Sequence, residues 1–356
     1  MLFYLLPVDK LKTTNILLLI IVFFLAGFVL QLTREVLIPI LLALILAYIM
    51  DPAVHLFRKR LHLPLWLSVL GASVLFLILF TAFAVLLYRS LNDFAHSFPV
   101  YQEKITLILK DATARLNSML NGSIKIDLLE SFNKLQITST AFTIAKSLIS
   151  YLFEFSLIFF FSVLIVYGKY RFQKKIVRAF PRKKGKMIPI IIAGIDREVK
   201  KYIVLKTLIC LSTALLTVII LLIFHVEFAV IFGFLTFVLV YIPTLGPIIA
   251  ALLPSFMALA QFSSLTLPFW IFLALITMHL AIGGLIEPKI MGNGLNLSLL
   301  VVFISLLFWG WLWGTPGVFL AVPMTTSIKI ILENIPVTAP FAILMERVKR
   351  RRYSKA

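Results

Sequence analysis

The chain has 356 residues, 61% of them hydrophobic, and its 34 Lys and Arg residues against 15 Asp and Glu residues give a formal net charge of +19. Soluble globular domains are about 45–50% apolar, so the composition excludes an ordinary soluble domain and indicates a membrane protein. The basic excess lies between apolar runs and without a nucleic-acid-binding motif, so it predicts anionic membrane lipids as partners and no nucleic acid.

Ten apolar segments follow one another along the chain, and an apolar helix needs about 20 residues to cross a hydrocarbon core. The first five have ordinary lengths, whereas four of the last five are short and have Pro or Gly at their junctions. This pattern predicts an all-α polytopic membrane protein of about eight transmembrane helices, with broken or re-entrant segments in the C-terminal half. The segments are 14–32, 36–50, 64–88, 149–168, 203–225, 228–245, 247–262, 267–288, 297–313 and 316–335.

Changes in polarity divide the chain into six regions. The polar insertion after the third span mixes both charge signs and has apolar residues at helical spacing over 100–120, followed by an Asn121–Gly122 turn. The basic segment after the fourth span is amphipathic and can lie in the plane of the membrane interface. Asp51 and Pro52 are expected to end the second span. The regions are three N-terminal transmembrane helices (1–88), an extracytoplasmic helical insertion (89–148), a fourth transmembrane helix (149–168), a basic cytoplasmic amphipathic segment (169–202), a C-terminal transport core with broken helices (203–340) and a basic cytoplasmic tail (341–356).

The distribution of basic residues predicts the orientation. Lys10 and Lys12 precede the first span, and basic residues at 58–60 follow the second. The densest basic block follows the fourth span, and further basic residues fill the tail. Basic loops remain in the cytoplasm, so both termini are predicted to be cytoplasmic. Ten full spans, or six to eight spans with re-entrant hairpins, give the same parity, and the charge pattern leaves both open.

The run 38–52 resembles the N-terminal signature of the AI-2E (autoinducer-2 exporter) transporter family, and the segments 241–254, 286–292 and 314–323 resemble the core of that family. The resemblance covers nearly the whole chain, including the polar insertion and the basic segment. It implies an oligomeric protein of the bacterial inner membrane that moves small solutes. Some members are described as exporters of autoinducer-2, and others as antiporters that exchange sodium or lithium for protons.

One segment departs from the family pattern. Where a run of small residues is usual before Gly314, this chain has Trp309, Trp311 and Trp313. Three tryptophans there would narrow a pathway or thicken an interfacial aromatic belt.

The breaks in the C-terminal half supply the candidate transport-pathway residues. Proline removes a backbone donor and clashes with the preceding turn, and freed backbone groups are tolerated at membrane depth only against protein or a water-filled cavity. Broken helices of this kind mark solute pathways, although a tight loop between two spans is the alternative for the break near Pro243. The candidates are Pro243, Gly246, Pro247, Glu287, Pro288, Lys289, Gly292, Asn296, Gly314, Gly317 and Pro323.

Glu287 is the sharpest of these candidates, because an ionisable residue at membrane depth is a functional hypothesis by default. Its carboxylate can bind a cation or carry a proton, and Lys289 is close enough in sequence to supply a positive charge. A helix end among the headgroups is the alternative. Glu154 and His279 are secondary candidates, with His279 as a proton relay to Glu287; an interfacial carboxylate and a hydrogen-bonded structural histidine are their respective alternatives.

No cofactor or metal ion is predicted. The single cysteine, Cys210, cannot form an intramolecular disulfide, and the sequence contains no nucleotide-binding loop, catalytic triad or HExxH motif. The chain is therefore predicted to be a secondary transporter and not an enzyme, with a small organic solute, H⁺ or Na⁺, and further copies of itself as partners. The alternatives are a Na⁺(Li⁺)/H⁺ antiporter, a passive pore-like oligomer, and a membrane scaffold through which nothing passes.

Overall fold

The computed structural model describes residues 10–119, 137–179, 187–243, 245–262, 264–291 and 297–346. Within these ranges the backbone forms helices, turns and one isolated bridge between Leu297 and Glu346, and no β-strand, which confirms the predicted all-α class. The helices are α1 (Lys10–Leu32), α2 (Arg34–Arg60), α3 (Leu65–Met119), α4 (Ile137–Ala179), α5 (Met187–Ile223), α6 (Ala229–Leu239), α7 (Leu245–Phe262), α8 (Thr266–Ala281), a π-helical segment (Ile282–Ile286), α9 (Glu287–Met291), α10 (Leu299–Trp313), α11 (Thr315–Glu333) and α12 (Ala339–Leu344).

Six helical runs of the described residues are long and apolar enough to cross a membrane; they lie in α2, α3, α5, α7, the run from α8 to α9, and α11. Two further apolar helices, α6 and α10, have only 11 and 15 residues. At about 1.5 Å per residue they measure roughly 16 and 22 Å, less than the ~30 Å thickness of the hydrocarbon core. The protein is therefore a polytopic membrane protein with short helices in its C-terminal half, as predicted.

The second span does not end at Asp51 and Pro52, and that prediction was wrong. α2 continues through Pro52 to Arg60. Asp51 is only 5% exposed, and its carboxylate pairs with Lys169 of α4 and Lys200 of α5. Neighbouring helices thus surround this turn, and such packing compensates in a transmembrane helix for the hydrogen bond that proline removes.

The polar insertion begins as a direct continuation of the third span. α3 runs without interruption for 55 residues, from Leu65 to Met119, which is about 80 Å and far longer than a bilayer core is thick. The helix predicted over 100–120 is confirmed up to Met119, and no loop separates it from the third span. Apolar residues at helical spacing continue through the change in polarity, so nothing ends the helix there. The Asn121–Gly122 turn lies outside the described residues.

The amphipathic segment before the fifth span is not a helix of its own but continues directly into that span. α5 is one element from Met187 to Ile223. Its polar residues face other helices: Asp196 accepts a hydrogen bond of 2.9 Å from the Tyr48 hydroxyl of α2 and lies 3.1 Å from the Lys169 ammonium of α4. These contacts join the N-terminal part of α5 to α2 and α4.

Two helical hairpins, α6–α7 and α10–α11, lie in the C-terminal half. A Cβ atom on Gly246 would lie 1.8 Å from the Leu239 carbonyl oxygen, and one on Gly317 would lie 1.9 Å from the Trp309 carbonyl oxygen. Only glycine therefore permits each close approach. At the turn of the second hairpin, Gly314 has φ 65° and ψ −145°, a conformation that side chains other than hydrogen disfavour.

The two hairpins pack against different helices. The first hairpin packs with α5 and α8 around fully buried side chains that include Leu221, Ala251, Ile271 and Leu275. The second hairpin contributes Trp309 and Trp313 to a core that side chains of α1 and α2 complete. α11 also packs against α5, so α5 stands between the two hairpins.

Candidate functional site

A buried ion pair between α5 and the end of the α8–α9 run forms the centre of the candidate site. The Lys206 ammonium donates to Oε1 of Glu287 at 2.6 Å, and the two side chains are 5% and 23% exposed. Lys206 comes from α5 just before a long apolar run, and Glu287 comes from the break predicted in the C-terminal half. Charges in such surroundings have lost much of their hydration, so each depends on the other for compensation.

The backbone before Glu287 is wound as a π-helical segment, Ile282–Ile286. The Glu287 N–H donates to the Ile282 carbonyl, one residue further back than in an α-helix. Gly283 and Gly284 lie in this turn, and a Cβ added to either would meet nothing within 4 Å. Single π-helical turns are rare and frequently occur at functional sites. Here the turn sets the direction in which the Glu287 side chain leaves the helix.

The tip of the first hairpin contacts α5 at the residue that follows Lys206. The Tyr241 hydroxyl lies 2.7 Å from the hydroxyl of Thr207, the residue next to Lys206. The Tyr241 ring also meets the ring of Phe319 edge-on, with centroids 5.4 Å apart. Phe319 belongs to the second turn of α11, just after the break at Gly314. Tyr241 therefore joins both hairpins to the α5 turn that carries the buried lysine.

The arrangement combines a titratable carboxylate, a compensating ammonium and two hydroxyl groups where broken helices meet. Helix breaks expose backbone carbonyls and amides that can contact a polar solute. A carboxylate can exchange an ammonium partner for a proton or a metal cation. The site is thus chemically suited to bind a cation and a small hydroxylated solute, and its parts come from three elements: α5, the first hairpin and the α8–α9 run.

Several of the predicted site residues lie at the first hairpin tip or next to the ion pair. Pro243 follows Tyr241 at the first hairpin tip, and Gly246 and Pro247 open α7 beside it. Pro288 and Lys289 follow Glu287 and have exposed side chains, so the charge beside Glu287 is Lys206 and not the predicted Lys289. Gly292 and Asn296 lie outside the described residues.

The remaining candidates lie away from the ion pair. Gly314 and Gly317 shape the turn of the second hairpin, and Pro323 is buried within α11. Glu154 is exposed on α4. His279 is buried at 4% exposure, and its Nε2 has no hydrogen-bond partner among the described residues. Among the described residues no hydrogen bond or ion pair joins His279 to Glu287, so a relay between them stays a prediction.

The tryptophans before Gly314 differ in their surroundings. Trp309 and Trp313 are 4% and 5% exposed, and their indole N–H groups donate to the Thr325 hydroxyl at 3.3 Å and to the Leu30 carbonyl at 3.1 Å. Only Trp311, at 76% exposure, has an outward side chain. Two of the three therefore fasten the second hairpin internally and to α1, which an interfacial belt would not do.

A second charged cluster lies on the other side of α5, toward the basic end of α2. We call it the Asp51 network; its members are Tyr48 and Asp51 of α2, Lys169 of α4, and Asp196 and Lys200 of α5. Lys169 lies 3.7 Å from the Asp51 carboxylate and stacks over the Tyr48 ring at 4.7 Å from its centroid. The network has two carboxylates and two ammonium groups, so its charges balance.

Sequence reasoning missed Lys206, Thr207, Tyr241 and the Asp51 network. For Lys206 a signal existed, since one lysine stands at the edge of the apolar run 207–223, and intramembrane charges are functional candidates. For Tyr241 no such signal existed, because tyrosine is common in apolar segments. Its role depends on Thr207, which lies 34 residues away in the chain.

Residues 18–337 match the family described as AI-2E family transporters. The chain belongs to the AI-2E transporter family. The AI-2 transport protein TqsA of Escherichia coli K12 is 32% identical over 326 residues, which are 89% of this chain and 91% of TqsA. A Haemophilus influenzae protein, named as a transport protein, is 31% identical over 341 residues. The match covers 92% of this chain and 94% of that relative.

A third AI-2E relative, YhhT of Escherichia coli K12, is 30% identical over 321 residues, 87% of this chain and 88% of YhhT. The resemblance read from the sequence is therefore confirmed over nearly the whole chain. As an AI-2E family member with several membrane-spanning helices, the chain is a multi-pass bacterial membrane transporter and not an enzyme.

Proposed function

We propose that this AI-2E family transporter exports a small, hydroxyl-rich organic solute such as autoinducer-2, and that a cation or proton bound at Glu287 drives the cycle. The observation that carries the proposal is the ion pair of Lys206 and Glu287 at the level where the tip of the first hairpin contacts α5. The pair supplies a coupling group, and the adjoining hydroxyls supply contacts for the solute.

The ion pair has two discrete states, which is what coupling requires. With Lys206 bound, the Glu287 carboxylate is compensated and the elements that carry the two residues are held together. When a proton or Na⁺ takes the carboxylate, Lys206 loses its partner. A buried ammonium without compensation is unstable, so the two elements separate or water enters. Ion binding at Glu287 thereby biases a conformational equilibrium through differential affinity.

The hairpins provide the elements that move in this proposal. α6 and α10 are too short to span the bilayer, so their tips end within it. Rocking of the hairpins relative to α5 would expose the Tyr241 and Glu287 region alternately to the two sides, which is the general logic of alternating access around a fixed site.

The proposed solute class follows from two sources. The relative TqsA carries the name of an AI-2 transport protein, and 32% identity over most of both chains makes a related solute a reasonable inference. The hydroxyls of Thr207 and Tyr241, one residue along α5 from the charged pair, offer donors and acceptors to a polyhydroxylated molecule.

The proposal is tested by efflux from proteoliposomes that hold the purified protein and radiolabelled autoinducer-2. We expect protein-dependent efflux that accelerates when an inward proton or sodium gradient is imposed. Efflux that is independent of every imposed ion gradient would instead indicate a passive pore. Absence of protein-dependent efflux under all gradients would contradict the solute assignment.

A Na⁺(Li⁺)/H⁺ antiporter is the second candidate, and one observation favours it. The Glu287 carboxylate is compensated by a protein ammonium that an inorganic cation can replace. In that case a sodium or lithium pulse moves protons in liposomes that contain no organic solute. Ion exchange without autoinducer-2 present therefore distinguishes the two functions.

A further inference from the structure

The N-terminal signature of the chain, residues 38–52, takes no direct part in the proposed transport site, yet its polar residues are buried. Tyr48 is 6% and Asp51 5% exposed. Both point into the Asp51 network, where the Tyr48 hydroxyl donates to Asp196 and the Asp51 carboxylate accepts from Lys200. A buried aspartate contacted by lysines from two other helices indicates a role in fixing those helices.

The Asp51 network and the transport site share one helix. Lys200 and Lys206 both belong to α5 and are separated by about 9 Å of helical rise. Their faces differ, because six residues at roughly 100° each place them about 120° apart. Lys200 therefore faces Asp51 of α2, whereas Lys206 faces Glu287.

Apolar packing connects the two charged centres along α5. Tyr48, Val199 and Ile203 form one buried cluster, and Tyr202 packs against it. Lys206, one turn further along α5 than Tyr202, pairs with Glu287. The α5 turn between the two centres is thus held by α2 on one side and adjoins the transport carboxylate on the other.

We propose that Asp51 is a positioning residue for transport. Through Lys200 and Lys169 it fixes the N-terminal half of α5 against α2 and α4, and it thereby holds Lys206 opposite Glu287. The inference rests on the proposed role of the Lys206–Glu287 pair in transport. In this proposal the N-terminal signature keeps Lys206 stationary while the Glu287 carboxylate binds and releases its partners.

The chain contains its own reporter for this arrangement. Cys210 is its single cysteine, is fully buried, and lies one helical turn after Lys206. A water-soluble maleimide can reach this thiol only when the region around Lys206 opens. No engineered cysteine or background correction for other thiols is needed, and Cys210→Ser gives the blank.

The experiment compares Asp51→Asn, Asp51→Glu and wild type in full-length protein reconstituted in liposomes. We expect Asp51→Asn to raise the rate of Cys210 alkylation by about fivefold or more, which corresponds to about 1 kcal/mol. It should also raise the cation concentration for half-maximal flux more than it lowers maximal flux. Asp51→Glu should restore both values in large part. Asp93→Asn, a change of an exposed carboxylate on α3, is the matched control and should alter neither.

A folded Asp51→Asn protein with wild-type alkylation rate and wild-type cation dependence would overturn the proposal. If Asp51→Asn does not fold, Lys200→Gln removes the same contact from α5 and takes its place, and unchanged alkylation in that variant is equally decisive. The alkylation readout does not require Glu287 to be the coupling group. Faster alkylation in Asp51→Asn together with normal coupled flux in Glu287→Gln would therefore reject the proposed coupling role while leaving the positioning role intact.

Discussion

Lys206 and Glu287 are unequal partners, because the lysine side chain is 5% exposed and the glutamate side chain 23%. Removing the carboxylate leaves a buried ammonium without compensation, whereas removing the ammonium leaves a carboxylate with partial access to water. Breaking a fully buried pair costs about 3–5 kcal/mol, and the partial exposure of Glu287 reduces this figure. The site is therefore expected to tolerate loss of the lysine better than loss of the glutamate.

This inequality gives a stability prediction. Glu287→Gln should lower the free energy of unfolding by more than Lys206→Gln, and the double substitution should cost less than the sum of the two, by about 1 kcal/mol or more. Thermal unfolding of the purified variants in detergent measures all three. Strictly additive effects would show that the two side chains do not interact.

The Tyr241 hydroxyl and ring make separable contributions. Tyr241→Phe removes the hydrogen bond to Thr207 and should cost about 0.5–1.5 kcal/mol of stability. Tyr241→Ala also removes the edge-on contact with Phe319, and we expect a further loss of at least about 0.5–1.5 kcal/mol. Unfolding curves of both variants test this order; Tyr241→Phe as damaging as Tyr241→Ala would contradict it.

At the residue scale the sequence identified a carboxylate but not its partner. Glu287 is conspicuous because charges are rare in apolar segments. Lys206 lies 81 residues away in the chain, and no local pattern connects the two. Lys289 was the obvious neighbour in sequence, but the π-helical turn directs Glu287 toward α5 instead.

Within the helical hairpins, two glycines are required by close backbone contacts. We expect Gly246→Ala and Gly317→Ala to destabilise the protein by about 1–3 kcal/mol each, the usual cost of overpacking, because the added methyl would lie 1.8 Å and 1.9 Å from carbonyl oxygens. Thermal unfolding measures the loss. Gly283→Ala is the matched control: its methyl would meet nothing within 4 Å, and its stability should be unchanged or slightly higher.

Most helices were predictable from apolar length, and their ends were not. The predicted breaks near Pro243 and Gly314 are confirmed, because Pro and Gly occur there together between short apolar helices. Pro52 alone did not end α2, since neighbouring helices surround it. The sequence also changes in polarity in the C-terminal part of α3 and at the start of α5, and both helices continue through these changes. Long helices continue past a membrane boundary wherever tertiary contacts or solvent satisfy their polar face.

On the scale of the whole molecule, α5 is the element that the sequence could not identify as central. It contacts α2 and α4 through the Asp51 network, α8–α9 through Glu287, and the first hairpin through Thr207. Each contact depends on side chains from distant parts of the chain. The family, by contrast, was identifiable from short motifs in order, and the match over residues 18–337 confirms it.

The orientation of the molecule stays a prediction from charge. With basic residues at 58–60 and in the block that follows the fourth span, both termini are expected in the cytoplasm. A cysteine placed at residue 56 in a Cys210→Ser background should react with an impermeant maleimide in everted vesicles and not in intact cells. Labelling from outside intact cells would reverse the assignment.

Ion-coupled transport by this protein depends most on Glu287 as the coupling carboxylate, and one measurement tests that role directly. Purified wild-type, Glu287→Gln and Asp93→Asn proteins are reconstituted in liposomes that contain a pH-sensitive dye and autoinducer-2, and proton gradients or pulses of Na⁺ or Li⁺ are then applied. We predict a protein-dependent pH change coupled to solute efflux in wild type and Asp93→Asn, and none in Glu287→Gln. Full gradient-coupled flux in Glu287→Gln would contradict the central claim.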